Sequence, residues 1–358
     1  MTRLVRAVID TRALQSNLAA VRRHAPTARV MAVVKANAYG HGLVPTALAL
    51  ADADAFAVAR LEEGIALRSA GVRAPIVLLE GVFNAGQLLE AAQQDFELVV
   101  HNQEQVALLK SARSTHRFGV WVKIDSGMNR LGFRIEDFPA AYATLASCSA
   151  VAPRVRVLTH LASADLRNDA ATRAQLEVFE NAVAGLPAER SIANSAAILG
   201  WPASHADWVR PGLMLYGVSP IAGRTAAEFG LLPAMTLYST VIAVRRVLTG
   251  ERVSYGGNWI AQRATQLAVV AVGYGDGYPR HIGNGTPVLV NGKRAPIAGR
   301  VSMDMIRCRC DRPATRQRWR SSGAVGRGLP AELVAPCADT VPYELLCGVS
   351  QRVALELK

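Results

Sequence analysis

Short apolar runs rich in Val and Ile alternate with longer stretches of helical period through the first 210 residues. The runs fall at 29–35, 55–59, 75–79, 97–101, 119–124, 154–159, 189–193 and 206–210 and read as strands. They are apolar throughout rather than at alternate positions, which is the pattern of strands covered on both faces of a parallel sheet. Between them, Leu14, Leu18 and Val21 keep i, i+4, i+7 spacing behind a candidate cap at Asp10. Residues 61–70 run helically into Gly71, a candidate left-handed stop. Eight strand and helix units predict an α/β fold, a (β/α)8 barrel of the TIM type over residues 1–230. Beyond Leu232 the period falls to two, with glycine turns between 235–247, 266–272, 287–290 and 294–306. This predicts a mainly β C-terminal domain over 231–358, largely antiparallel.

Composition narrows the class without changing that picture. The 358 residues are 51% hydrophobic and 19% charged, enough apolar material for two cored domains and too much for a disordered or fibrous chain. No apolar stretch approaches the roughly 20 residues of a membrane span, and residues 1–10 carry Arg3 and Arg6 without a signal-like apolar core. A cytoplasmic location with no membrane partner is the expectation. The five cysteines are scattered with no CxxC pair, so neither a disulfide framework nor a zinc site is expected. Net charge is +12, but residues 307–327 hold seven arginines against one acid and so supply half of it. The rest of the chain is only mildly basic, and no nucleic-acid partner is expected.

In a barrel of this type the chemistry lies at the C-terminal ends of the strands. The first predicted strand ends on Lys35 after three apolar residues. A lysine there, partly desolvated, has a depressed pKa and serves as an amine nucleophile toward an aldehyde; by residue type alone it reads equally as a strand-end lysine that snorkels to solvent. Arg210 reads alike as an ion-pair residue, His160 as a core histidine, Ser195 as a helix cap, and Tyr255 as a packing residue.

Longer motifs separate these readings. Residues 33–42 (VVKANAYGHG), 121–132 (WVKIDSGMNRLG) and 208–217 (WVRPGLMLYG) occur in that order with Thr159-His160, Asn194-Ser195, Ser254-Tyr255-Gly256, 272–278 (VGYGDGY), 299–304 (GRVSMD) and Pro342-Tyr343-Glu344. Together they span nearly the whole chain, and in sequence and order they resemble the alanine racemase family.

The resemblance implies an enzyme that interconverts L- and D-alanine with pyridoxal 5'-phosphate, supplying D-alanine for peptidoglycan or serving alanine catabolism. It implies a head-to-tail homodimer in which each β domain completes the partner's site. Lys35 is the implied cofactor lysine and the base on one face of the substrate α-carbon, and Tyr255 the base on the other. Two groups about a planar carbon are the direct way to remove a proton from one face and return it to the other. Arg210 is implied beside the cofactor's pyridine nitrogen, where its fixed charge keeps that nitrogen unprotonated, and His160 is implied to hydrogen-bond Arg210. Tyr39, Asn194, Ser195, Gly212, Leu213 and Tyr343 are implied around the cofactor. Hydroxyls and amides there hold a phosphate without adding charge. Arg130 is implied at the cofactor's phenolic oxygen and the substrate carboxylate, and Lys123 is implied as its carbamylated neighbour or as an unmodified lysine paired with an acid. Tyr274 and Met303 are implied at the partner's substrate entrance; as β-domain residues they read equally as core.

The family pattern breaks directly after Ile306, where the chain continues RCRCDRPATRQRWRSS, and resumes near Gly326. A pair of compensating frameshifts accounts for this run, with divergence or a basic loop as alternatives. It is expected to weaken the β domain.

Overall fold

The computed structural model describes residues 3–113, 115–310 and 322–358. Most of the arginine-rich run, including Arg312, Arg316, Arg318 and Arg320, therefore lies outside the described residues.

The eight runs of continuous apolar sequence form a closed parallel barrel in chain order. Numbered after the N-terminal strand β1 (Arg6–Ile9), its strands are β2 (Arg29–Val33), β3 (Ala55–Val58), β4 (Ile76–Leu78), β5 (Phe96–Val100), β6 (Val120–Lys123), β7 (Arg156–Leu158), β8 (Arg190–Asn194) and β9 (Trp208–Arg210). β9 closes on β2 with Arg29 opposite Trp208 and Val30 opposite Val209. The last strand begins later than the apolar run suggests, because Ala206 takes a left-handed φ of 49°. Asp10 caps the helix Thr11–His24, accepting from the Ala13 amide, and Leu14, Leu18 and Val21 are buried as their spacing predicts.

At the N-terminal ends of the strands the barrel floor is charged. Arg156 donates to Glu97 at 2.5 Å and lies over Trp121, whose indole nitrogen donates to the same carboxylate at 2.8 Å. Arg29 pairs with Glu189 at 2.7 Å and lies over Trp208. Alternating cations, acids and indoles thus satisfy one another where water meets the core.

The β domain contains β10 (Met235–Ser239), β11 (Val241–Val247), β12 (Arg252–Val253), β13 (Trp259–Ile260), β14 (Thr265–Val270), β15 (Pro287–Val290), β16 (Lys293–Pro296), β17 (Ile306–Cys310), β18 (Ser322–Val325) and β19 (Ala354–Leu357). One sheet runs β16-β15-β18-β10-β1-β19, a second β11-β14-β17, and β12 pairs with β13. Within the β domain the pairings are antiparallel; the exception in these sheets is β1 on β19.

Placing residues 1–230 in the barrel therefore needs one adjustment. β1 belongs to the β domain's sheet, between β10 and β19. Its burial alternates, with Ala7 and Ile9 inward, which is the signature of a half-covered strand; the barrel strand β3 is buried at every position. The start of the arginine-rich run also holds its strand. In β17, Ile306, Cys308 and Cys310 are buried and alternate with Arg307 and Arg309.

Candidate active site

A cavity of about 550 Å³ opens at the C-terminal ends of the barrel strands. Lys35 follows β2, Lys123 ends β6, Asn194 ends β8, Arg210 ends β9, and the segments that follow β6 to β9 supply Arg130, His160, Ser195, Gly212 and Leu213; Tyr39 and Tyr343 close one side. Every barrel residue singled out in the sequence lines this space. So do Glu80 and Cys347, which the sequence did not single out. Glu80 was discoverable, since it stands two residues past the end of β4; nothing local marks Cys347.

The backbone that presents Lys35 is unusual. Ala36, Asn37, Ala38 and Tyr39 have φ between 51° and 54°, a turn of left-handed helix with no glycine in it. Such a conformation costs roughly 1–2 kcal/mol per residue and persists only where the surroundings impose it. Here Glu63 accepts the Ala36 amide at 2.6 Å and Asn37 Oδ1 accepts the Leu43 amide at 2.8 Å. His41 Nδ1 lies 3.1 Å and 2.9 Å from the Ala38 and Tyr39 carbonyls. Gly40 ends the turn at φ 81°, where a Cβ would stand 2.2 Å from the Leu346 carbonyl, so the turn packs directly on the helix Pro342–Cys347. Burial, and then the Arg130 charge, lower the Lys35 pKa, against the opposing pull of Glu80 and Glu63. The result is an amine with an enlarged neutral fraction.

His41 beneath this turn is fully buried. Its Nδ1 donates to carbonyls, and Nε2 has no hydrogen-bond partner among the described residues. Burial holds its pKa at about 4 against an ordinary 6.5. Because the unfolded chain binds this proton and the folded chain does not, stability is full above pH 6.5 and is lost as the pH falls toward 4, by roughly 3 kcal/mol. Urea unfolding between pH 7 and 4 checks this. His41→Asn, which keeps a donor for the two carbonyls, is expected to flatten the slope relative to the parent, and an unchanged slope would discount His41 as its source.

Arg210 is buried, donates to Ser191 Oγ at 2.6 Å, to the Thr159 carbonyl at 2.5 Å and to the Ile192 carbonyl at 3.2 Å, and has no acid paired with it among the described residues. Burial lowers its pKa to about 10, so it stays cationic at neutral pH. The expected hydrogen bond from His160 is absent. Main-chain carbonyls take the guanidinium's protons, and His160 Nε2 lies 3.5 Å from the Asn194 amide nitrogen instead. Burial and the Arg210 charge drive the His160 pKa well below its usual value, which leaves a neutral ring beside the cation.

Asn194, rather than Ser195, caps the helix Ser195–Gly200, accepting from the Ala197 amide at 3.1 Å. That frees the buried Ser195 hydroxyl to accept from the Gly212 amide at 2.8 Å and the Met214 amide at 3.3 Å. A Cβ on Gly212 would come within 2.6 Å of the Tyr39 hydroxyl. Two hydroxyls and a side-chain-free backbone thus converge, and burial raises the phenol pKa of both Tyr39 and Tyr343, keeping them as donors. This donor set fits a phosphate.

Lys123 is buried, and burial with the charges of Arg130 and Arg210 brings its pKa to about 8. Asp125 Oδ1 accepts the amides of Gly127 and Asn129, each at 3.0 Å, and shapes the loop that carries Arg130 to the cavity. Lys35, Lys123, Arg130 and Arg210 against Glu80 leave the cavity cationic, suited to an anionic ligand with both phosphate and carboxylate groups.

Tyr255, Tyr274 and Met303 do not line this cavity. They stand on the β domain, 66%, 39% and 53% exposed. Three turns carry them, tied by Ser254 Oγ to the Arg300 carbonyl at 2.6 Å, the Tyr274 amide to Ser302 at 3.1 Å and the Gly275 amide to Met303 at 2.9 Å. Ser254 holds a left-handed φ of 69°, and Arg307 donates to its hydroxyl.

Comparison with known proteins agrees with this chemistry. A sequence model of the alanine racemase N-terminal domain matches residues 9–220, and one of the alanine racemase C-terminal domain matches 234–357. The alanine racemase of Aeromonas hydrophila is 49% identical over 350 residues, 98% of each chain. The crystal structure of biosynthetic alanine racemase from Pseudomonas aeruginosa superposes with a TM-score of 0.96 at 44% identity, covering 100% of both chains. That of alanine racemase from Bartonella henselae with covalently bound pyridoxal phosphate has a TM-score of 0.89 at 28% identity over 100% of both.

Proposed function

The chain belongs to the alanine racemase family, and from that premise we propose that its barrel cavity interconverts L- and D-alanine using pyridoxal 5'-phosphate carried by Lys35. The observation that carries the assignment is the lowered pKa of the Lys35 amine in a cavity that also holds a phosphate-type donor set at Tyr39, Ser195 and Gly212. Bound there, pyridoxal phosphate supplies an electron sink that stabilises negative charge on the substrate α-carbon.

The remaining work falls to the chain's own residues. Ser195, Tyr39, Tyr343 and the amides of Gly212 and Leu213 hold the phosphate, with Asn194 and the neutral His160 lining the same side. Arg130 orients the substrate carboxylate, and Lys123 beside it holds Arg130 in place as its carbamate or, unmodified, pairs with an acid; an amine with a pKa of about 8 has the neutral fraction that carbamylation needs. Arg210, cationic and without a neighbouring acid among the described residues, would disfavour a second positive charge beside it, and so would keep the cofactor's ring nitrogen unprotonated, since adjacent cations repel. That would favour return of a proton to the α-carbon over its delivery elsewhere. Lys35 moves that proton on one face.

On the other face the base is Tyr255 of a second copy, docked head to tail, with Tyr274 and Met303 framing the entrance. The exposure of all three on the β domain supports this, as does their absence from the lining of their own chain's cavity. No helix among the described residues is long and apolar enough to cross a membrane. We place the reaction in the cytoplasm, where D-alanine feeds peptidoglycan synthesis or, in reverse, alanine is drawn into catabolism.

Borohydride reduction followed by peptide mapping, with a D-alanine assay on the same preparation, tests the assignment. The cofactor is expected on the peptide containing Lys35, in a protein that racemises alanine. A label on any other residue would overturn it.

A further inference from the structure

We propose that Glu63 is a positioning residue for the reaction: its carboxylate clamps the strained turn that begins at Ala36 to the end of β3 and so fixes where Lys35 and Tyr39 stand. Oε1 accepts the Ala36 amide at 2.6 Å; Oε2 accepts the amides of Ala59 at 2.9 Å and Arg60 at 3.2 Å. The Arg60 contact is ordinary for an acid in the first turn of the helix Leu61–Ser69. The Ala36 contact is not, because it reaches back 27 residues, to the position that directly follows Lys35.

The turn needs such a clamp. Four successive non-glycine residues at φ 51° to 54° have no intrinsic preference for that conformation, and Ala36 is the first of them. Glutamate suits the task because each of its oxygens accepts. A glutamine turns an NH2 group toward at least one of these amides, and an aspartate is one methylene short. The same negative charge opposes the depression of the Lys35 pKa, a second effect on the same amine. Glu63 does not line the cavity, so it acts through Lys35 and Tyr39 rather than on substrate.

This inference rests on Lys35 as the cofactor lysine, and the experiment separates the two. Glu63→Gln and Glu63→Ala are prepared as holoenzyme and apoprotein. Borohydride mapping of each variant tests Lys35 itself. With the label on Lys35, the clamp predicts a kcat lowered about 10- to 100-fold with KM for alanine within about threefold, as Arg130 stands on a different strand end. In the apoprotein it predicts faster amide exchange across residues 36–39 and weaker capture of added pyridoxal phosphate. A second change, Ala36→Gly, suits a left-handed φ and is expected to restore at least about threefold of the kcat lost in Glu63→Ala. A purely helix-stabilising Glu63 would lower the melting temperature and give no such rescue. Unaltered kcat in folded Glu63→Gln, or unaltered exchange across 36–39, would sink the proposal.

Discussion

Replacing Lys35 with alanine is expected to lower alanine turnover by about 10³-fold or more while leaving the thermal stability of the apoprotein unchanged or slightly raised. The two halves of that expectation have different causes. On the proposed mechanism turnover falls because the same amine carries the cofactor and moves the proton on one face, and no other amine in the cavity has its placement: Lys123 is buried on β6, against Arg130 and Arg210. Stability holds because the Lys35 ammonium is disfavoured where it stands, by burial first and by Arg130 second. Racemisation assays and cofactor absorbance on one preparation, with a melting curve on its apoprotein, read all of this. A variant retaining a tenth of parental turnover would remove Lys35 from the mechanism.

Tyr255→Phe carries the second large effect. Loss of one hydroxyl from a side chain 66% exposed is a small perturbation to the isolated chain, within about 0.5 kcal/mol. Turnover should nevertheless fall about 10²- to 10⁴-fold, the range for losing a positioned proton carrier. Exchange gives a sharper readout than rate. With Lys35 intact, solvent deuterium should still enter one enantiomer of alanine while inversion stalls; deuterium entering both equally would remove Tyr255 as the opposing base. The proposed site shared between two copies makes a further demand. Mixing Lys35→Ala with Tyr255→Phe subunits yields heterodimers with one complete site each, so statistical reassociation should recover about a quarter of parental activity. No recovery on mixing would count against a site built from two copies.

How much of this was legible in the sequence depends on what each feature is made of. The barrel strands announced themselves because burial on both faces forces continuous apolar runs. β1 is four residues long, and its alternation of Arg6, Ala7, Val8 and Ile9 is too short to assign to a sheet whose other members lie more than 200 residues away. Lys35 was visible as a strand-end lysine, but its left-handed turn was not. Ala36, Asn37, Ala38 and Tyr39 carry no glycine to advertise positive φ, and the contacts that impose it come from Glu63, His41 and the packing of Gly40 on Leu346. Glu63 lies inside the helical run 61–70, where nothing in its position marks a contact with Ala36. The partners of Arg210 were illegible for another reason: two of the three are main-chain carbonyls, which leave no mark in a sequence, and so the histidine suggested by motif was not the residue that holds it. Tyr255, Tyr274 and Met303 sit in exposed turns where residue type is uninformative, and only motif context singled them out.

The placement of β1 bears on how the molecule is made. Arg6–Ile9 lies against Ala354–Leu357, so β1 waits through synthesis of the whole intervening chain before its strand has both neighbours. At roughly 5–20 residues per second that delay is tens of seconds. The barrel has no such wait, since its seam between β2 and β9 needs nothing beyond Arg210. The nascent chain therefore acquires the half that carries Lys35 well before the sheet that joins β1 to β19 can close, and an unpaired β1 is the edge a chaperone would have to shield in the interval.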